Sequence, residues 1–268
     1  MKHGHIALLI PVYNDPGGLQ LSLNSLPAEV SLDVVVVDDG SEPPVVLRDV
    51  PPSHRFFLLR TERNRGIQYA LNYGLQWILA RNYSYVARLD CGDVALPGRF
   101  LWQLLFLEEH PEYALVGGQA CFIDESGACV FEERLPTTHE EIRAELHLRN
   151  CFLHSAVMLR VSALRVVGLF SEDCEAAEDY DLFFRIAKRF KVANLDRRVV
   201  LCRLDRKGIS FARRGRQLRS RLKIMLRHFD PRRVESWLGV MRTAALLPIP
   251  ATWVWAVKRR WAGRRGGL

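Results

Sequence analysis

The sequence predicts an α/β protein built on a doubly wound, mostly parallel sheet, and three observations carry that prediction. Apolar, β-rich runs recur along the chain, helical patterns separate several of them, and polar residues crowd the positions where the runs end. The runs cover 6–12, 32–37, 56–59, 85–89, 114–116 and 199–202; the helical patterns cover 17–26, 67–82, 97–109 and 162–169. Four consecutive valines, Val34 to Val37, carry no polar alternation, as expected of a central strand buried on both faces. In such sheets ligands bind beyond the carboxyl ends of the strands. Those ends carry Asn14 and Asp15, then Asp38 to Ser41, then 60–66, then Asp90 to Asp93.

Composition narrows the class. The chain has 268 residues, 49% of them hydrophobic and 25% charged, with a mean hydropathy of -0.04. These values exclude collagen-like, disordered and multi-spanning membrane proteins. The length fits one large domain with an appendage, divided here into a body over 1–212 and a tail over 213–268. The formal charge of +8 is unevenly spread: residues 206–268 hold 17 Lys and Arg against 2 acids, and residues 1–205 hold 21 against 28. The six cysteines form no CxxC pair and have no histidine at metal-ligand spacing, so free thiols in a reducing compartment are expected. The run at 6–12 is short, contains Pro11 and meets Asn14 directly, which reads as a buried strand and not a secretory signal.

The acids that end the strands carry the functional argument. Asp38 and Asp39 precede Gly40, so they either build an Asx-type turn or hold the base or ribose of a nucleotide. Asp90 and Asp93 follow the fourth run. Acids held close together repel unless a cation joins them, and hard oxygen ligands suit Mg2+ or Mn2+ with substrate phosphates. The alternative for Asp93 is a helix cap ahead of Pro97. A third cluster, Glu178, Asp179 and Asp181, stands at the start of a helix expected from about Asp181, where the helix dipole favours acids and where a general base could also stand. No GxGxxG and no GxxxxGK[ST] occurs, so phosphate recognition through a Gly-rich cradle is excluded. Trp77 and Trp102 fall within helical apolar patterns and read as core.

Taken in order, PVYN (11–14), VVDDGS (36–41), NRGIQYALNYG (64–74), RLDCGD (88–93) and EDYDLFFR (178–185) resemble the family 2 glycosyltransferases. The resemblance spans about four-fifths of the chain. It implies a GT-A fold, a nucleotide-diphosphate sugar donor (a UDP-sugar favoured), a divalent cation (Mn2+ or Mg2+), and transfer with inversion. It further implies that Pro11, Tyr13, Asn14, Asp38, Asp39, Asn64, Gly66, Asn72 and Arg88 surround the nucleotide. Asp90 and Asp93 would hold the metal, Asp179 would be the catalytic base, and Asn150, His154 and Glu178 would border the acceptor. The sequence departs from the family pattern at Gly92, where many relatives carry an acid, and in the late stretch Cys202–Asp205 followed by Ser210, which lacks the family's usual histidine.

The tail reads as a basic helix over 213–233, with Leu218, Leu222, Met225 and Phe229 recurring every three or four residues. An apolar stretch over 237–257 follows, interrupted by Arg242, Pro248 and Pro250; Trp237, Trp253, Trp255 and Trp261, with Lys258 to Arg260, read as interfacial anchors. This pattern favours a tail lying on an anionic membrane surface over ordinary packing on the body, and both over a true span. The expectation is an inverting glycosyltransferase working on a glycan or lipid-linked acceptor in cell-envelope polysaccharide or lipopolysaccharide assembly. It would be cytoplasmic and peripheral on the inner face of the plasma membrane, with no nucleic-acid partner. The competing reading is a catalytically degenerate sugar-nucleotide or glycan-binding protein at that surface.

Overall fold

The computed structural model describes residues 5–204 and 214–248. The first half alternates strands and helices: β1 (Ile6–Val12), α1 (Pro16–Asn24), β2 (Asp33–Asp38), β3 (Arg55–Arg60), α2 (Ile67–Leu79), β4 (Tyr85–Arg88), β5 (Val94–Ala95) and α3 (Arg99–Glu109). The second half runs β6 (Tyr113–Ile123), β7 (Cys129–Glu133), α4 (His139–Glu145), β8 (Met158–Arg160), α5 (Val161–Val167), α6 (Glu178–Arg189), β9 (Lys191–Arg203), α7 (Arg214–Arg227) and α8 (Val234–Leu246). The strand order is β3-β2-β1-β4-β8-β6-β9-β5, with β7 paired to β6. β1 to β4 are mutually parallel, and β6 is parallel to β9. β8 runs antiparallel to both β4 and β6, and β5 antiparallel to β9.

Every residue of β1 and β2 is buried. Alternate residues feed opposite faces of the sheet, as the strand pleat requires. Leu9, Val35 and Val37 pack with α2, α5 and α6; Leu8, Ile10, Val34 and Val36 pack with α1 and α3. At about 1.5–3 kcal/mol per fully buried aliphatic side chain, this double-faced core dominates stabilisation. Because β1 to β4 are parallel, their carboxyl ends share one edge, and the turn residues at that edge come together.

Several expectations need correction. Cys121 and Cys129 are joined by a disulfide across the β6–β7 hairpin, so they are not free thiols; Cys91, Cys151, Cys174 and Cys202 are free. Helix α6 starts at Glu178, one turn before the expected start. Trp77 and Trp102 are half-buried rather than enclosed, and guanidinium groups cover them: Arg81 lies 3.5 Å from the Trp77 ring centroid and Arg197 5.0 Å from that of Trp102. The continuous basic helix expected over 213–233 ends at Arg227, and a second helix, α8, begins at Val234.

Through residue 248 the expected tail is docked on the body. Ile224 and Met225 of α7 belong to the main core cluster, and Asp181 ties α7 to α6. Asp181 is fully buried, accepts hydrogen bonds from Ser171 and Arg185, and meets Arg227 at 3.0 Å and His228 at 3.2 Å. Burial opposes its ionisation, but His228, Ser171 and Arg185 outweigh that and hold the carboxyl well below its ordinary range. The expectations at Ser210, Asp205, Pro250 and the tryptophans and cations from 253 onward lie outside the described residues.

Candidate active site

The four parallel strands deliver their polar ends to one edge of the sheet, as expected. At β1, Pro11 is buried, Tyr13 is 50% exposed, and Asn14 adopts a left-handed φ of 51°, a conformation asparagine tolerates better than most residues. The Asn14 N–H donates to Ser41 Oγ at 2.9 Å, and its side-chain oxygen accepts from the Glu42 N–H at 2.8 Å, which joins the first turn to the second. Asp15 caps α1 by accepting from the Gly18 N–H at 2.8 Å.

Asp38 and Asp39 divide the two roles their turn allowed. Asp38 is fully buried and accepts from the Ser41 and Val45 N–H groups, so its carboxylate builds the turn. Asp39 is 3% exposed and reaches the next loop. It accepts from Thr61 Oγ1 at 3.1 Å, the Arg65 N–H at 3.0 Å and the Gly66 N–H at 2.7 Å. Through this latch it sets the position of the exposed Asn64 and of Gly66, which opens α2. A cavity of about 450 Å³ lies against the same loop, lined by Arg60, Arg63, Arg65, Tyr69 and Tyr73 among others. Asn72, farther along α2, makes both of its side-chain bonds to the Phe170 backbone, which fixes the helix to the chain after α5.

The turn from Asp90 to Asp93 joins β4 to β5 and is pinned from three sides. Ser22 Oγ accepts from the Gly92 N–H at 2.9 Å and donates to the Asp93 carbonyl at 2.8 Å. Ser155 Oγ accepts from the Asp90 N–H at 2.9 Å. Gly92 has φ +94°, which disfavours any side chain there, and a Cβ at this position would meet the Arg203 guanidinium at 3.6 Å. The Arg203 N–H donates to Asp93 Oδ1 at 2.9 Å, and its guanidinium stands 3.7 Å from Asp15 Oδ2.

Asp90 is the hub of the acids. Its side chain is 34% exposed, and one oxygen is held by Arg88. Arg88 is buried, also bonds the Leu9 carbonyl, and donates from Nε to His154 Nε2 at 3.3 Å. Burial, and then the Arg88 charge, push His154 down to about 3, so it is neutral and its proton sits on Nδ1. Burial and the Asp90 charge raise Asp93 to about 7. Glu178 is 6% exposed, and its Oε2 has no hydrogen-bond partner; burial, then Asp179 and Asp90, raise it to about 7. Asp179 rises to about 6, chiefly through burial; the Tyr180 N–H opposes the shift and Asp90 adds to it. Asn150 Nδ2 donates to Asp179 Oδ2 at 2.9 Å, and the Tyr180 N–H donates to Oδ1 at 2.8 Å, which orients the carboxylate.

The structure therefore brings together Arg88, Asp90, Asp93, Asn150, His154, Glu178 and Asp179, residues spread over just more than 90 positions. Arg203 and the positioning serines Ser22 and Ser155 were absent from the sequence-derived site. The Asp93–Arg203 contact spans 110 residues, and no local pattern announces it. Among the described residues no group of three or more His, Cys, Asp or Glu side chains is arranged to hold a metal ion. Mg2+ and Mn2+ are commonly held by one or two carboxylates plus substrate phosphates. Asp90 fits that requirement, with a half-open carboxylate amid excess negative charge, whereas Asp93 is turned inward onto the Arg203 N–H.

The sequence profile described as "Glycosyl transferase family 2" matches residues 7–168. The chain belongs to glycosyltransferase family 2. Asp179 lies beyond the matched span, but pairwise similarity to relatives is longer. The chain is 31% identical over 217 residues to an uncharacterized glycosyltransferase of Haemophilus influenzae, covering 78% of this chain and 79% of that one. It is 32% identical over 200 residues to the amylovoran biosynthesis glycosyltransferase AmsE of Erwinia amylovora, covering 70% of this chain and 72% of that one. The mannosyltransferase PcManGT of Pyrobaculum calidifontis, solved with GDP-Man and Mn2+, superposes with TM-score 0.62 at 16% identity, over 94% of this chain and 72% of that one. TarS 1-349 of S. aureus, solved with UDP-GlcNAc, gives TM-score 0.61 at 17% identity, over 83% of this chain and 66% of that one. The family 2 chain thus has the GT-A fold.

Proposed function

We propose that this family 2 glycosyltransferase moves a sugar from a nucleoside-diphosphate donor to a hydroxyl of a glycan acceptor, with inversion, in the assembly of a surface polysaccharide. The observation that carries the reading is Asp179: an oriented carboxylate raised to about 6, beside the Asp90 hub at the carboxyl edge of the sheet. Asp179 takes the proton of the acceptor hydroxyl, whose oxygen forms a bond to the anomeric carbon. The bond from that carbon to the donor phosphate breaks, and the nucleoside diphosphate leaves with the electron pair. A single displacement inverts the centre and needs one base, unlike glycoside hydrolysis with its two flanking carboxyls.

The charge gathering on the leaving diphosphate needs compensation. A divalent cation, Mn2+ or Mg2+, held by Asp90 and the donor phosphates, would neutralise it. From the chain itself, Arg203 lies 41% exposed over Gly92 and can approach the same phosphates, whereas Arg88 is buried and serves to hold Asp90 and His154. Asp39 and the loop it latches support nucleotide binding with Tyr13 and Asn14. A UDP-sugar is the donor the motif resemblance favours, and UDP-GlcNAc from TarS and GDP-Man from PcManGT are the two comparison donors. The names of AmsE and of the Escherichia coli O-antigen biosynthesis glycosyltransferase WbnJ, 32% identical over 124 residues, support polysaccharide assembly. A lipid-linked acceptor and a place on the inner membrane face accord with the basic tail.

Gly92 favours a second reading, a protein that binds donor without turning it over. Thermal denaturation against a panel of nucleotide sugars, with and without Mn2+, tests both, because a ligand that binds the native state raises Tm. The proposal predicts that one donor stabilises the protein, more so with cation, and that the same donor releases nucleoside diphosphate when acceptor is added. Stabilisation without release favours the binding protein, and no stabilisation by any donor overturns both.

A further inference from the structure

Helix α8 meets the body through small and polar residues, with Val240 half-buried against the core. Its buried positions are Ser236, Gly239 and Thr243. Ser236 Oγ meets His147 Nδ1 at 2.6 Å, and Thr243 Oγ1 meets the Met225 sulfur at 3.3 Å. At Gly239 the helix comes so close to the body that a Cβ would stand 1.8 Å from the His147 carbonyl oxygen. These contacts fix the rotation of the helix. They leave Val234 (68% exposed), Trp237 (51%), Leu238 (49%) and Met241 (56%) facing solvent at i, i+3, i+4 and i+7. A surface helix of a globular protein turns such a stripe to the core. A contiguous apolar face held outward marks a contact surface.

The charge around the stripe selects the partner. Arg232 and Arg242 are exposed beside it. The chain continues past Pro248 for twenty residues that contain five Lys and Arg, three Trp and no acid. Like charge disfavours a second copy of this surface, whereas anionic headgroups complement it, and Trp and Arg suit the boundary between headgroups and acyl chains.

We infer that the outward face of α8 docks this protein onto an anionic lipid bilayer, with Val234, Trp237, Leu238 and Met241 entering the headgroup–acyl boundary and the flanking arginines meeting lipid phosphates. The helix lies in the plane of the membrane: no helix among the described residues is long and apolar enough to cross one. The inference deepens the membrane placement of the proposed function and is independent of the transfer chemistry. Docking here holds the body, through the Ser236–His147 and Gly239 contacts, in a set orientation to the surface.

The test is co-sedimentation of the full chain with vesicles of phosphatidylcholine, with and without phosphatidylglycerol. Wild type partitions onto the phosphatidylglycerol vesicles. The combined substitution Val234→Ser, Leu238→Ser and Met241→Ser lowers that partition by about tenfold or more, while Tm and donor-induced stabilisation stay as in wild type. Trp237 is left in place because its indole bonds the Pro231 carbonyl and its ring packs on Phe229. A parallel variant, Lys258→Gln, Arg259→Gln and Arg260→Gln, separates the two levels of the claim. If it alone abolishes binding and the α8 variant binds as wild type, the α8 face is overturned and membrane placement stands. If wild type ignores both vesicle types, membrane placement falls as well, with the transfer reaction untouched. A dimer in solution that the α8 substitutions dissociate, together with no vesicle binding, assigns the face to a second copy and overturns the inference.

Discussion

Glu178→Gln removes a buried charge while keeping the side chain's shape. Glu178 is 6% exposed, its Oε2 has no partner, and burial followed by the charges of Asp179 and Asp90 raises it from 4.5 to about 7. In the unfolded chain the group keeps its ordinary value. The folded protein therefore retains a proton, between pH 4.5 and about 7, that the unfolded chain has released, and stability falls as pH rises through that window. At about 1.36 kcal/mol per pH unit, the penalty reaches roughly 3 kcal/mol by pH 8 and stays under about 1 kcal/mol at pH 5. A chain of this size gains about 2–4 °C in Tm per kcal/mol. Calorimetry of Glu178→Gln should give a rise of about 6–12 °C at pH 8 and no more than about 3 °C at pH 5. An unchanged or lower Tm at pH 8, or an equal rise at both pH values, refutes the reasoning.

Three further outcomes follow from the same geometry. Asp181→Ala removes the buried acceptor shared by Ser171, Arg185, Arg227 and His228, while Arg185 keeps the Leu169 carbonyl and Arg227 keeps Asp173. It should cost about 2–3 kcal/mol in denaturant unfolding at pH 7, and a loss under about 1 kcal/mol would contradict the α6–α7 anchor. Arg203→Ala should weaken nucleoside-diphosphate binding by about tenfold in calorimetry, the order of one charge-assisted contact, and leave nucleoside binding unchanged; equal loss for both ligands would place Arg203 elsewhere. The kcat of transfer should rise with pH as Asp179 releases its proton, with a midpoint near 6 broadened by Glu178, and a flat profile from pH 5 to 8 would exclude this base.

Much of the fold was legible because burial on both faces leaves a plain mark. The four valines of β2 can only be a central strand, and the acids after β2 and β4 fall where parallel strands present them. The antiparallel half was harder. Gly117 and Gly118 interrupt the apolar run of β6, so an 11-residue strand reads as three residues, and the hairpin that joins Cys121 to Cys129 is lost with it. β8 spans three residues, too few for any periodicity to register. At the site, the clustering of acids was readable but their division of labour was not. Asp38 and Asp39 are adjacent in sequence, yet one builds a turn and the other latches a loop 26 residues away. Asp179 and Asp181 are two apart on one helix, yet one opens on the acid cluster and the other anchors α7. Only the direction of each side chain distinguishes them, and that direction is set by contacts distant in sequence. The outward stripe of α8 was hidden in a stretch over 237–257 that read as apolar throughout, and which side faced the body depended on the Gly239–His147 approach.

Asp179 carries the transfer chemistry. With the stabilising donor identified, single-turnover transfer by Asp179→Asn is to be compared with wild type at pH 7.5, alongside donor affinity measured by calorimetry. Loss of the general base predicts a fall in kcat of about 10² to 10⁴ with donor affinity unchanged. Near-full turnover by Asp179→Asn would contradict the central claim, since another group would then be taking the acceptor's proton.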